Sequence, residues 1–247
     1  MINYIKFLKS STLLLISIFI TILISIFIIA MIDKKTDPVI VYLEDKFHNP
    51  KRDFLIQVFD QIPQSFPGQV ALILGADVAE GDILLPLEKD YTLIAFDGQM
   101  IYYDLMIPNY EKYKNKINII KKLNFETLPT LDLVMASFVL PFFPSEELKP
   151  MWSSLDEKIK PGGYFVGNFF DPRFEIFNGK DRKNMSFHTK DEVLDLFKNY
   201  EILKILEVKN KSSKQNGFEY YYEIFAKKKE EVVKRVTETK KPQNIAN

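Results

Sequence analysis

Asp97 closes the apolar run YTLIAFD, and Gly75 closes the earlier run QVALILG. The acid follows the glycine by about 22 residues, a distance at which an acidic side chain often hydrogen-bonds a ribose diol. A plain strand-ending aspartate has the same spacing, so both readings stand. Asn124-Phe125-Glu126 follows a third apolar segment and is placed to edge an adenine ring. Ala136-Ser137-Phe138 follows a fourth, and small side chains there leave room for a bound group. His188, in the context Phe-His-Thr, is either a proton carrier, since imidazole titrates near neutrality, or a helix-entry histidine with a structural hydrogen bond. Asp171 before Pro172 either lines the mouth of a site or forms a turn.

These residues need a scaffold that brings them together. Gln69–Gly75, Tyr91–Asp97, Ile117–Ile120, Leu131–Ser137 and Gly163–Phe170 are short and apolar, as strands buried on both faces are. Helical patterns lie between them. Asn49-Pro50 starts a helix with Phe54, Leu55, Val58 and Phe59 as its apolar stripe. Ser145 is expected to cap a second helix, with Glu146 and Glu147 in its first turn and Leu148, Trp152, Leu155 and Ile159 on one face. Pro161-Gly162-Gly163 is expected to stop it. Thr189 and Glu192 form a capping box for a third helix, over Thr189–Tyr200. Glu201–Val208 and Phe218–Ala226 then read as an antiparallel edge pair, with Tyr220, Tyr221 and Tyr222 packing as strand. The alternation implies a doubly wound, mostly parallel α/β sheet of the Rossmann-like kind. In such sheets ligands bind beyond the carboxyl ends of the strands, which brings the loops after Gly75, Asp97, Ile120 and Ser137 into one crevice.

Composition narrows the chemistry. The chain has 247 residues, no cysteine, two histidines and zero formal net charge. Thiolate metal sites, disulfides and cysteine nucleophiles are excluded, a histidine-rich metal site is not expected, and nothing suggests nucleic-acid binding through bulk positive charge. Residues 1–11 are a short N-terminal segment. Residues 12–32 carry no charge and, at about 1.5 Å per helical residue, match a hydrocarbon core of about 30 Å. One transmembrane helix is the reading. A cleaved signal sequence, with Lys6 and Lys9 at its start and a small residue at Ala30, is the alternative, although the run exceeds the usual core of about 7–15 residues. The excess of Lys and Arg beyond the run favours a single-pass protein with its soluble domain on the cytoplasmic side. Residues 33–49 form a juxtamembrane linker, 50–228 the domain and 229–247 a charged tail.

The segments ALILG, LIAFD, NFETLP, LDLVMASFVLPFFP and LDEKIKPGGYFVGNFFDP resemble, in order, the motifs of class I S-adenosylmethionine-dependent methyltransferases. MSFHTKDEVLDLF and EYYYEIFAKKK resemble the C-terminal part of a bacterial subgroup that includes tellurite-resistance-like methyltransferases. The resemblance covers about Pro50 to Lys228. It implies S-adenosylmethionine as cofactor, with Asp97 on the ribose, Phe125 and Glu126 beside the adenine, and Ala136 and Ser137 beside the methionine part. Gly75 and Asp77 would lie in the loop that meets the cofactor's carboxylate, and His188 would face the acceptor.

The first loop departs from the family pattern. An acid in the first strand followed by Gly-x-Gly-x-Gly is matched here by Ile73, Gly75, Asp77 and Ala79. Only Gly75 is kept, and Asp77, Glu80 and Asp82 add negative charge, with Gly81 available to the turn in a shifted register. Two functions are therefore carried forward. One is a membrane-anchored methyltransferase acting on a small or membrane-proximal acceptor. The other is an inactive domain of the same fold, kept as a membrane-tethered interaction module. A nicotinamide-dependent oxidoreductase fits poorly, because its Gly-x-Gly-x-x-Gly turn is absent.

Overall fold

The computed structural model describes residues 42, 53–64, 66–75, 83–96, 111–212 and 216–230. The run 12–32, the Asn49-Pro50 helix start, and the tail from residue 231 lie outside them. Among the described residues, no helix is long and apolar enough to cross a membrane.

Seven strands form one sheet in the order β3-β2-β1-β4-β5-β7-β6. In chain order they are β1 (Val70–Leu74), β2 (Thr92–Phe96), β3 (Ile117–Ile120), β4 (Leu131–Ala136), β5 (Ile159–Phe170), β6 (Tyr200–Lys211) and β7 (Phe218–Lys228). β1 to β5 pair in parallel, while β7 runs antiparallel to both β5 and β6. The anticipated terminal pair is thus present, with the last strand inserted inside and β6 on the border.

Side chains alternate between two apolar layers, as the pleat requires. Ala71, Ile73, Leu93, Ala95, Leu133, Met135, Val166 and Phe225 face α1 (Asp53–Phe59) and α2 (Leu84–Glu88). The stripe expected on α1, namely Phe54, Leu55, Val58 and Phe59, is buried there. Leu72, Leu74, Val134, Ala136, Phe165, Phe169 and Ile224 face the opposite layer, which holds α3 (Ser145–Lys158) and α5 (Lys190–Leu196). A short α4 (Gly179–Lys183) lies between β5 and α5. Trp152 sits in the second layer with its ring 4.8 Å from Phe197 and 5.2 Å from Phe165, the core position its helical spacing implied. The Thr189–Glu192 capping box is made in both directions.

Two local expectations are corrected. Ser145 does not cap α3. It is the first helical residue, and Pro144 takes the capping position without a side-chain bond. Pro144 pre-sets the chain direction and lacks the N–H that would need a partner. Nor does Pro161-Gly162-Gly163 end the helix. α3 ends at Lys158, and Ile159 already pairs with Leu131 as the first residue of β5. The Lys-Pro-Gly-Gly segment is an irregularity inside the strand, where pairing jumps from Leu131 to Leu133. It loops over Asp132, whose carboxylate accepts from Val70 N at 2.8 Å and Gln69 Nε2 at 2.9 Å and pairs with Lys160. Four residues of β5, 160–163, thus stand opposite the single residue Asp132.

Candidate functional site

The register defines the site. Ile120 pairs with Phe96, Phe96 with Leu74, Leu74 with Ala136, and Ala136 with Gly167. One residue further along three of these strands stand Gly75, Ser137 and Asn168, a row at the carboxyl edge. The strand order reverses between β1 and β4, and this is where an open α/β sheet leaves a ligand crevice. Asp97 follows Phe96 directly but lies outside the described residues, as do Asp77, Ala79, Glu80, Gly81 and Asp82.

Gly75 has φ of +70°, and its N–H donates to Phe96 O at 2.9 Å. A side chain at that angle is disfavoured by about 1–2 kcal/mol, so the one retained glycine of the loop occupies a backbone state that needs it. Gly167 meets a different demand. A Cβ there would lie 2.7 Å from Ala136 O, so a larger residue would push β4 away from β5 beside Ser137.

Asn124 accepts from Glu126 N at 3.1 Å and starts the 3-10 turn Phe125–Thr127. Phe125 is half-buried against the α3 layer and Glu126 is exposed, which leaves both at the mouth after β3. Ala136 and Ser137 are buried, Ala136 within the α3 layer. Phe138 then takes φ of +52°, an outlying conformation for a bulky residue that points to a functional constraint. Its N–H donates to Asn168 Oδ1 at 2.5 Å.

Asn168 is a member of this site that the sequence motifs did not mark. It is 2% exposed, and its Nδ2 finds no acceptor among the described residues. By strand parity it shares a face with Val166 and Phe170, and across β7 it stands opposite Glu223, itself buried. A buried amide with its oxygen committed and its donor open is suited to receive a ligand's lone pair. Its signal in the sequence was a polar residue inside the otherwise apolar run YFVGNFF.

His188 stands apart from this row. Its backbone N–H donates to Phe170 O at 2.8 Å, and its ring meets the edge of Phe169 at 5.6 Å. Phe169 belongs to the α3 layer, on the other face of β5 from Asn168. Burial, reinforced by Lys149 and opposed by Glu192, pushes the imidazole below its usual range, and Nδ1 is buried without a partner.

Asp171 forms the turn that was one of its two readings. Its Oδ1 accepts from Arg173 N and Nε, each at 2.8 Å, and its Oδ2 from Arg173 Nη2 at 2.8 Å and from the Tyr222 hydroxyl. Burial raises this carboxyl, but the bonds from Arg173 and Tyr222 outweigh it and hold the pKa at about 2. A folded pKa below the unfolded value of about 3.9 contributes stability above about pH 4 that is lost as pH falls toward 2. Asp171→Asn should therefore lower Tm at pH 7, with the gap from wild type closing between pH 5 and pH 2.5 in a melting series. A pH-independent gap contradicts this account.

A third cluster caps the β4–β5 side of the crevice. Phe138, Phe170, Phe174, Phe177 and Tyr221 are buried together with Tyr42, and Phe142 packs against them. Among the described residues no group of three His, Asp or Glu side chains is placed to hold a metal ion.

The strand order, the antiparallel β7 and the crevice at the β1/β4 reversal together constitute the methyltransferase Rossmann-like fold. Among solved structures, TehB from Haemophilus influenzae aligns with a TM-score of 0.57 at 16% identity, over 76% of this chain and 66% of that one. The chain thus spans just under two thirds of that protein's length. The 1,6-didemethyltoxoflavin-N1-methyltransferase of Burkholderia thailandensis, solved with 1,6-didemethyltoxoflavin and S-adenosylhomocysteine, aligns at 0.53 and 15% identity, over 86% of this chain and 89% of that one. N-methyltransferase NodS from Bradyrhizobium japonicum WM9, in complex with S-adenosylhomocysteine, aligns at 0.54 and 12% identity, over 78% and 99%. The likeness is one of fold. No family model matches the chain, and no curated protein matches it by sequence.

Proposed function

We propose that this protein is an S-adenosylmethionine-dependent methyltransferase held at a membrane by residues 12–32, its domain on the cytoplasmic side. The observation that carries the reading is the row Gly75, Ser137 and Asn168 at the strand reversal, with Gly75 at φ of +70°. The residues present fit the cofactor. Gly75 allows close backbone approach, and Ala136 and Ser137 leave room for the methionine part. Asp97 would hold the ribose hydroxyls, Phe125 and Glu126 would border the adenine, and the Gly75–Asp77 loop would meet the carboxylate end. S-Adenosylmethionine supplies a methyl already activated on a sulfonium, so the chain's task is to hold the acceptor in line and exclude water. Asn168 Nδ2 would be the donor on the acceptor side, while His188, packed on Phe169 of the other face of β5, stands outside this row. In support, the B. thailandensis and B. japonicum enzymes of this fold were solved with S-adenosylhomocysteine.

The acids at Asp77, Glu80 and Asp82 favour the second reading, an inactive interaction module, and one experiment separates the two. S-Adenosylhomocysteine at about a hundred times its Kd should stabilise the full-length protein in detergent by about 2.7 kcal/mol. That is a rise in Tm of roughly 5–10 °C for a domain of this size. Asp97→Ala should abolish the rise. No shift at millimolar ligand rules out the enzymatic reading.

A further inference from the structure

Tyr42 is 2% exposed, and its ring is surrounded by five others. The centroids of Phe177, Phe174, Phe170, Phe138 and Phe142 lie 5.3, 5.7, 6.0, 6.1 and 6.3 Å away. Most of these contacts are edge-on, the favoured arrangement, each worth about 0.5–1.5 kcal/mol beyond the area buried. Two of the five adjoin the crevice directly: Phe138 follows Ser137, and Phe170 lies two residues beyond Asn168 on the same face. The chain coming from the N-terminus is therefore fastened at the rim of the site.

Tyr42 follows Ile32, the last residue of the uncharged run, by about ten residues, which reach at most roughly 35 Å. A domain of about 180 residues is roughly 40 Å across. A tether shorter than the domain is wide, fixed at the rim, keeps that rim turned toward the membrane.

We infer that the crevice opens toward the bilayer and that the methyl acceptor is membrane-borne, an apolar-bodied molecule presenting one nucleophilic oxygen or nitrogen. This rests on the methyltransferase reading and on residues 12–32 being a retained span. The mouth fits such an acceptor. The buried aromatic cluster ends at Phe138, directly after Ser137, and Asn168 Nδ2 beside it has no hydrogen-bond partner among the described residues. In the transfer, the acceptor's lone pair forms the new bond to the methyl carbon. The carbon–sulfur electrons stay with sulfur, which leaves as a neutral thioether, and the acceptor's proton passes to water.

The test uses the full-length protein in native membranes, with S-adenosylmethionine tritiated in its methyl group, followed by chloroform–methanol partition. Label is expected in the organic phase. A variant with about 30 Gly/Ser residues inserted after Thr36 has a fourfold longer tether. Its effective concentration at the bilayer falls roughly eightfold. Organic-phase label should fall by that factor while stabilisation by S-adenosylhomocysteine is unchanged. Label confined to water-soluble or protein fractions overturns the membrane-borne acceptor and leaves methyl transfer standing. Full labelling by the long-tether variant overturns the fastening argument. Absence of label from every fraction, without stabilisation by S-adenosylhomocysteine, removes the methyltransferase reading as well.

Discussion

Asn168→Ala should lower Tm by roughly 4–10 °C, a larger change than its single hydrogen bond suggests. Asn168 Oδ1 is the acceptor for Phe138 N–H, and deleting it buries an unpaired donor, at a cost of about 1–3 kcal/mol. The same bond holds Phe138 at φ of +52°, a conformation disfavoured by about 1–2 kcal/mol. Without the bond the turn relaxes, and Phe138 leaves its place against Tyr42 and Tyr221. A domain of this size loses about 2–4 °C per kcal/mol, which sets the range. A shift below about 1 °C on Asn168→Ala would show that the Phe138 turn is held by other means.

Gly75→Val should remove cofactor affinity, by at least about tenfold as read by titration with S-adenosylhomocysteine. A β-branched residue at φ of +70° is strained by more than the 1–2 kcal/mol of an ordinary side chain. Its Cβ also occupies the space through which a ligand would approach the backbone. Relief of the strain would rotate the N–H away from Phe96 O and uncouple β1 from β2 at the crevice. The affinity loss should exceed whatever loss of Tm accompanies it. Unchanged affinity would place the ligand elsewhere, or nowhere.

The parallel strands were legible because each run is short and largely apolar and is bounded by polar or turn residues. For β3 the run Ile117–Ile120 matched residue for residue, and the others differed by one to three residues at the ends except around Pro161. That exception has a local cause. A Pro-Gly-Gly tripeptide reads as a helix stop, yet here it arches over Asp132, a residue whose buried contacts to Gln69 and Val70 are remote in sequence. Ser145 misled in a similar way, since a good capping residue beside Pro144 is superseded by the proline. The carboxyl edge of the sheet was legible where a type of residue ended a strand, as with Gly75, Ala136 and Ser137. Asn168 was hidden because its importance lies in a bond to a residue thirty positions away. Tyr42 was read as part of a mixed linker, since no local pattern announces the five rings that enclose it.

The two borders of the sheet differ in length but share an outcome. β3 offers only four residues. β6 is twelve residues long but is kinked by a register shift between Ile202 and Lys204, and it carries Lys204, Glu207, Lys209 and Lys211. Charge and curvature there deny a neighbouring molecule the flat, continuous ladder that intermolecular pairing requires, even with Leu203 and Leu206 partly exposed. Copies at high density would thus stay separate bodies instead of polymerising through their backbones.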